Sequence, residues 1–245
     1  MKFDDVRAAL DGIPYLGVDE GWELYQFVVN HRPERCLELG HAHGVSSVYL
    51  AAAMEEEGLG HLDTVDLLAA GGRDPNLESL LERTGLDGRV TIHREKNSYT
   101  WFLKKRIEAR SGNGVCEPCY DFCFIDGAKN WTIDGLAFFL VDKLLRPGGW
   151  LLFDDYTWTM GKHPGRMQSD GITVRSLSQE EVSVPHIEAV YRLLVTQHPD
   201  YGNFEVQDNW WAWAQKLGAE AAGTDRAIRE TRMKWHEREE LDAND

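Results

Sequence analysis

The stretch Arg35-Cys36-Leu37-Glu38-Leu39-Gly40-His41-Ala42-His43-Gly44-Val45-Ser46 decides how the whole chain reads. A short, mostly apolar run that stops at glycine is the pattern of a buried strand. Residues 45–57, VSSVYLAAAMEEE, follow as a helix with Val48, Ala51 and Ala52 on its apolar face. A strand, a glycine turn and a helix start make a ligand site. Glycine lets backbone approach a ligand without a Cβ, the helix N-terminus favours an anionic group, and ligands of open α/β sheets bind beyond the carboxyl ends of strands. The spacing here is G-x-x-x-G with Ala42 in the middle. A nicotinamide fingerprint requires G-x-G-x-x-G, so an oxidoreductase of that type is disfavoured. Glu38, directly beneath the turn, would repel a pyrophosphate and attract an ammonium group.

Outward from this unit the chain alternates. Strands are expected at 61–67, 89–93, 120–125 and 150–153, and helices at 76–84, 99–110 and 132–145. Two helices, 3–12 and 19–31, precede the alternation. Such a rhythm means parallel strands with helices on both faces. Near the end, 204–206 and 210–215 are separated by Gln207-Asp208-Asn209, which suits an antiparallel hairpin after a helix over 185–198. The expected fold is therefore α/β: a doubly wound, mostly parallel seven-stranded sheet closed by an antiparallel hairpin. Residues 1–217 form one domain and 218–245 a charged tail.

Asp66 ends the second strand, where a carboxylate can accept two hydrogen bonds from a ribose diol. Glu38 and Asp66 together imply a ligand with an amino-acid end, a ribose and no phosphate. S-adenosylmethionine fits. Taken singly, Glu38 has the alternative of a buried salt bridge and Asp66 that of a helix cap.

Two later strands end in Phe124-Ile125-Asp126-Gly127-Ala128-Lys129 and Leu152-Phe153-Asp154-Asp155-Tyr156. Adjacent strands would bring Asp126, Asp154 and Asp155 to one rim, where like charges repel unless a cation sits among them. Mg²⁺ suits such an oxygen site; the alternative is that the acids cap loops. Lys129 could have its pKa lowered there and act as a base, or simply balance the acids.

Composition bounds the remaining choices. A net charge of −15 argues against a nucleic-acid substrate and for a small-molecule acceptor. No apolar run is long enough to span a membrane. MKFDDVRAAL lacks the pattern of a secretion signal, so a cytoplasmic location is expected. Cys36, Cys116, Cys119 and Cys123 include a single C-x-x-C; without a second pair they read as reduced structural thiols, with a zinc knuckle or redox pair as the alternative. Residues 157–185 read as an acceptor lid. Trp158, His163 and Arg166 are candidate contacts within it, and His163 is a reserve base. Trp210, Trp211 and Trp213 read as hairpin packing. The oligomeric state stays open, a homodimer included.

Motif by motif, ELGHAHGVSSVYLA, FIDGAK, LLRPGG and LLFDDY resemble the metal-dependent class I O-methyltransferases: catechol O-methyltransferase and the macrocin-type sugar O-methyltransferases. The resemblance covers about residues 20–160, plus the terminal hairpin. It implies that Glu38, Gly40, Ala42, Gly44 and Ser46 line the methionine end of the cofactor, that Asp66 holds the ribose and that Asn97 lies near the adenine. It also implies that Asp126 borders the cofactor and, with Asp154 and Asp155, binds Mg²⁺. Lys129 stands where the catechol enzyme has its catalytic lysine. There are departures. The metal pair is Asp-Asp where the catechol enzyme has Asp-Asn, Gly127-Ala128 replaces a His-Trp pair beside the adenine, and His41 and His43 are unusual in the turn.

The expected function is S-adenosylmethionine-dependent O-methylation of a small-molecule hydroxyl with Mg²⁺ assistance. A metal-independent N- or C-methyltransferase and a non-catalytic S-adenosylmethionine-binding protein are the alternatives.

Overall fold

In the computed structural model, which describes residues 2–163 and 176–218, the chain starts with α1 (Phe3–Leu10) and α2 (Val18–His31). It continues through β1 (Arg35–Leu39), α3 (Val45–Glu57), β2 (His61–Leu67), α4 (Leu77–Thr84), β3 (Val90–Glu95) and α5 (Tyr99–Arg110). A short hairpin, β4 (Ser111–Gly112) and β5 (Val115–Cys116), leads to β6 (Tyr120–Ile125), α6 (Trp131–Leu144) and β7 (Leu145–Phe153). The last elements are α7 (Gln179–Ser183), α8 (His186–Val190), β8 (Tyr201–Gln207) and β9 (Trp211–Lys216).

The seven main strands lie in the order β3-β2-β1-β6-β7-β9-β8. β3, β2, β1, β6 and β7 are parallel, and β9 and β8 run antiparallel. The expected sheet is thus present, with the final strand inserted between β7 and the edge strand β8. The order reverses between β1 and β6, which pair Glu38 with Phe124 and Leu39 with Ile125. At such a switch point the flanking loops diverge and leave a crevice at the carboxyl ends.

Period-two alternation builds a core on each face. Phe122, Phe124, Leu152, Trp211 and Trp213 face α1–α4. Their neighbours Cys123, Ile125, Leu151, Phe153, Ala212 and Ala214 face α5, α6 and α8. α3 differs from its expectation of a single apolar face. Every residue from Val45 to Met54 is buried, because α1, α2 and α4 cover the side turned away from the sheet. Gly21 permits this: a Cβ there would run into the Tyr49 ring.

Other differences are local. β7 begins earlier than expected, at Leu145, and β3 runs to Glu95. The helix expected over 185–198 is α8 followed by one π-type turn, Tyr191–Val195. The β4–β5 hairpin has too little apolar pattern to be legible, since all of it is at least partly exposed. Within the expected lid, Ser178 caps α7 with Glu181; Arg166 and the tail over 219–245 lie outside the described residues. All four cysteines are free thiols. No helix among the described residues is long and apolar enough to cross a membrane.

Candidate active site

The glycine turn is built from below by Glu38, which is fully buried. Ser46 Oγ donates to its Oε1 at 2.5 Å, while Ser47 Oγ and Thr64 Oγ1, the latter at 2.6 Å, donate to Oε2. Burial raises the Glu38 pKa, and the three hydroxyls oppose that. Its negative charge lies beneath the positive end of α3, a favourable placement. Glu38 is therefore caged by hydroxyls, and no cationic side chain among the described residues forms a salt bridge with it.

The cage continues sideways. Thr64 gives its one proton to Glu38, so it accepts from His41 Nδ1 at 3.0 Å, and His41 Nε2 then accepts from Arg94 Nη1 at 2.6 Å. Burial first, then Arg94 and Arg73, push the His41 pKa down to about 4 against the pull of Asp66. Arg94 in turn grips both oxygens of Glu78, at 2.9 and 3.0 Å. His43 turns away, with Nδ1 donating to the Pro75 carbonyl at 2.6 Å and its ring stacked on Tyr15. Both histidines of the turn have structural partners.

Asp66 is already partly engaged by backbone amides. Its Oδ2 accepts from the His41 and Ala42 amides at 3.0 and 2.8 Å, and its Oδ1 from the Leu67 amide at 2.6 Å. A carboxylate offers about four acceptor positions. One is left, on Oδ1, for a ribose hydroxyl, where the sequence suggested two hydrogen bonds from a ribose diol. Gly40 also has a packing reason of its own. At φ +92°, a Cβ there would fall 2.5 Å from the Gly127 Cα, so the residue is needed where the ends of β1 and β6 touch. Gly44, at φ +99°, presses against Leu77. Asn97 sits exposed in the loop after β3, on the carboxyl side of the sheet.

Opposite this turn, the rim is stepped by backbone hydrogen bonds: the Asp126 amide donates to the Leu39 carbonyl and the Asp154 amide to the Ile125 carbonyl. One carboxylate oxygen from each of Asp126, Asp154 and Asp155 lies within 4.8 Å of the others. Lys129 projects its ammonium among them. Nζ pairs with Asp126 Oδ1, and lies 3.2 Å from Asp154 Oδ2 and 3.0 Å from Asp155 Oδ2. Burial would lower the Lys129 pKa, but three carboxylates prevail and hold it well above the usual lysine range. One ammonium does not neutralise three acids, however. Burial and the Asp154 charge raise the pKa of Asp126 and of Asp155. Asp154 is lowered despite burial, by Lys129 and by hydrogen bonds that include Trp211.

The three carboxylates fit a divalent cation. Oxygen ligands at about 2.1 Å around an octahedral ion stand roughly 3 to 4.2 Å apart, and the three carboxylate oxygens here lie within 4.8 Å of one another. Asp126, Asp154 and Asp155 would hold it.

Several supporting residues escaped the sequence reading. Trp211 Nε1 donates to Asp154 Oδ1 at 2.8 Å, so this tryptophan does more than pack the hairpin. Tyr99 accepts from the Ala128 amide at 3.1 Å and donates to Asp134. Its ring occupies the space a side chain on residue 127 would need, which explains the glycine there. Asn130 caps α6 through the Thr132 and Ile133 amides, and Asp134 takes the Asn130 amide at 2.7 Å. The signals were present, a buried indole N–H and a phenol each needing a partner, but the partners are distant in sequence. Trp158 Nε1 donates to His163 Nε2 at 2.5 Å, so the ring nitrogen a reserve base would use is engaged.

A cavity of about 530 Å³ opens at the start of α6, between Trp131, Leu177, Val184, His186 and Leu193. It adjoins Lys129 through Asn130, and the loop after β7 through α7, where Gly161 packs on Val182. A second hollow, about 540 Å³, lies by Glu34 and Asp121 at the opposite strand ends and contains none of the rim acids.

Residues 37–156 match the family model described as a methyltransferase domain. No curated protein matches the chain. Solved structures share the fold. TomG of Streptomyces achromogenes, an O-methyltransferase involved in tomaymycin synthesis and solved with S-adenosylmethionine, is 17% identical; the match has a TM-score of 0.58 and covers 88% of this chain and 89% of that one. The O-methyltransferase of Bacillus cereus, solved with S-adenosylhomocysteine, is 22% identical with a TM-score of 0.56, covering 87% and 90%. A Podospora anserina methyltransferase bound to S-adenosylhomocysteine is 13% identical with a TM-score of 0.60, covering 88% and 87%.

Proposed function

We propose that the chain, whose residues 37–156 match a methyltransferase domain, is an S-adenosylmethionine-dependent methyltransferase that methylates a hydroxyl group of a small molecule with help from a divalent cation. The observation that carries this reading is the convergence of Asp126, Asp154, Asp155 and Lys129 on the rim of the crevice that begins at the glycine turn. When bound, the cofactor supplies an electrophilic methyl group and the cation lowers the pKa of the acceptor hydroxyl.

The chain's own contribution is placement. The first-turn amides of α3, which have no partner within the helix, suit the methionine carboxylate. Glu38 favours the ammonium through its charge, from beneath the cage. Asp66 offers its remaining acceptor position to the ribose, and Asn97 stands on the adenine side. The cavity beside Trp131 is of the size small-molecule sites take and would receive the body of the acceptor. In-line alignment of acceptor oxygen and methyl group then supplies much of the acceleration. Lys129, paired with three carboxylates, is an acid and a charge partner; a role as base requires that its carboxylates first be engaged elsewhere. A net charge of −15 favours a small acceptor over a nucleic acid.

The test is transfer from methyl-labelled S-adenosylmethionine to a panel of phenols, sugars and hydroxylated metabolites, with the product's methylated atom assigned by NMR. Methylation on oxygen, lost with chelator and in Asp154→Ala, is expected. Methylation on nitrogen or carbon, or turnover indifferent to both chelator and Asp154→Ala, would overturn the reading.

A further inference from the structure

We infer that Lys129 and the divalent cation compete for one position, so that the cation enters the carboxylate cradle only as the lysine ammonium leaves it. The inference rests on the proposed cation site.

The geometry allows no joint occupancy. Nζ contacts a carboxylate oxygen of each of Asp126, Asp154 and Asp155, and those residues' ligand atoms lie within 4.8 Å of one another. An ion bound to all three at about 2.1 Å would sit among the same oxygens and collide with Nζ, and the two positive charges would repel at contact. The carboxylates are poorly placed to make room. Trp211 Nε1 holds Asp154 at 2.8 Å, and the Asp126 backbone is hydrogen-bonded to Leu39. The backbone of Lys129 is equally fixed. It sits at φ +56° between an Ala128 amide bound by Tyr99 and an Asn130 amide bound by Asp134. What can move is the four-carbon lysine side chain, which can swing its ammonium out while the loop stays. Lys129 thus offsets part of the cradle's negative charge before the cation binds, at a cost to cation affinity.

Mn²⁺ serves as probe, titrated into the full chain with saturating S-adenosylhomocysteine and followed by the loss of the free-ion EPR signal. Lys129→Met keeps the side-chain length and removes the charge. It is expected to bind Mn²⁺ at least about tenfold more tightly, the factor expected if the ammonium fills the wild-type cradle nine-tenths of the time or more. In the wild type, labelling of Lys129 by an amine-reactive ester, read by mass spectrometry, should rise with Mn²⁺ and reach half its change at the dissociation constant. Equal Mn²⁺ affinity in both proteins, or Lys129 labelling that does not change while Mn²⁺ binds, overturns the competition and leaves the cation site standing. Absence of Mn²⁺ binding in both proteins overturns the cation site itself. Should Lys129→Met fail to fold, the labelling of the wild type decides alone.

Discussion

Burial pushes His41 and Lys129 the same way, toward the neutral form, yet they end in opposite states because their neighbours differ. His41 faces Arg94 and Arg73 and is held neutral, with a pKa of about 4; Lys129 faces three carboxylates and stays charged. The His41 shift has a consequence for stability. Unfolded, His41 titrates near 6.5; folded, near 4. Between those values the unfolded chain binds more protons, so stability falls as pH drops through that window and is fully present above it. The expected contribution is on the order of 3 kcal/mol. Urea unfolding at pH 7 and pH 4 should show this loss, and His41→Asn should flatten the slope; an unchanged slope would refute the assignment. At this scale the sequence made Asp126, Asp154, Asp155 and Lys129 legible as a group, because each follows a recognisable strand. The lysine's protonation was not legible. It depends on the register of β6 with β7, which sets how close Asp154 and Asp155 come to residue 129.

The terminal hairpin and the loop 126–130 act as elements that hold the acids. β9 lies antiparallel to β7, and this places the Trp211 indole on Asp154. Trp211→Phe keeps most of the packing and removes the donor. We expect a stability loss of about 1–3 kcal/mol, since a buried charged acceptor loses a partner, and weaker Mn²⁺ binding with S-adenosylhomocysteine affinity unchanged. Loss of both affinities together would show that the hairpin supports the whole crevice. Tyr99→Phe leaves the Ala128 amide and Asp134 each without the phenol. It should cost about 1–3 kcal/mol in urea unfolding; a change under about 0.5 kcal/mol would contradict the role given to Tyr99. Elements with strong period-two or helical patterning were legible. The short α7 and the β4–β5 hairpin were not, because local capping and turn contacts sustain them more than an apolar stripe does.

For the molecule as a whole, strand alternation and the late hairpin were enough to anticipate a parallel sheet with an antiparallel end, since parallel connections require crossovers. The insertion of β9 between β7 and β8 was not legible; strand order depends on which edge the hairpin meets, and Ala212 and Ala214 reveal their close approach to α8's side only once the sheet is assembled. The purposes of Gly40 and Gly127 likewise emerged only from the contact between neighbouring strand ends and from the Tyr99 ring. A ligand that binds only the folded crevice should stabilise the protein globally, by about 2.7 kcal/mol at a hundredfold excess over its dissociation constant. A thermal shift with S-adenosylhomocysteine that adenosine alone does not reproduce would reflect the amino-acid end of the site, and equal shifts would argue against it.

On the proposed reading, the turn over Glu38 and Asp66 receives the amino-acid and ribose ends of S-adenosylmethionine. Calorimetric titration of S-adenosylhomocysteine into the full chain is the decisive measurement. Saturable heat with one site per chain is expected, weakened when Asp66→Ala frees the His41 and Ala42 amides. No heat up to millimolar ligand would contradict that reading.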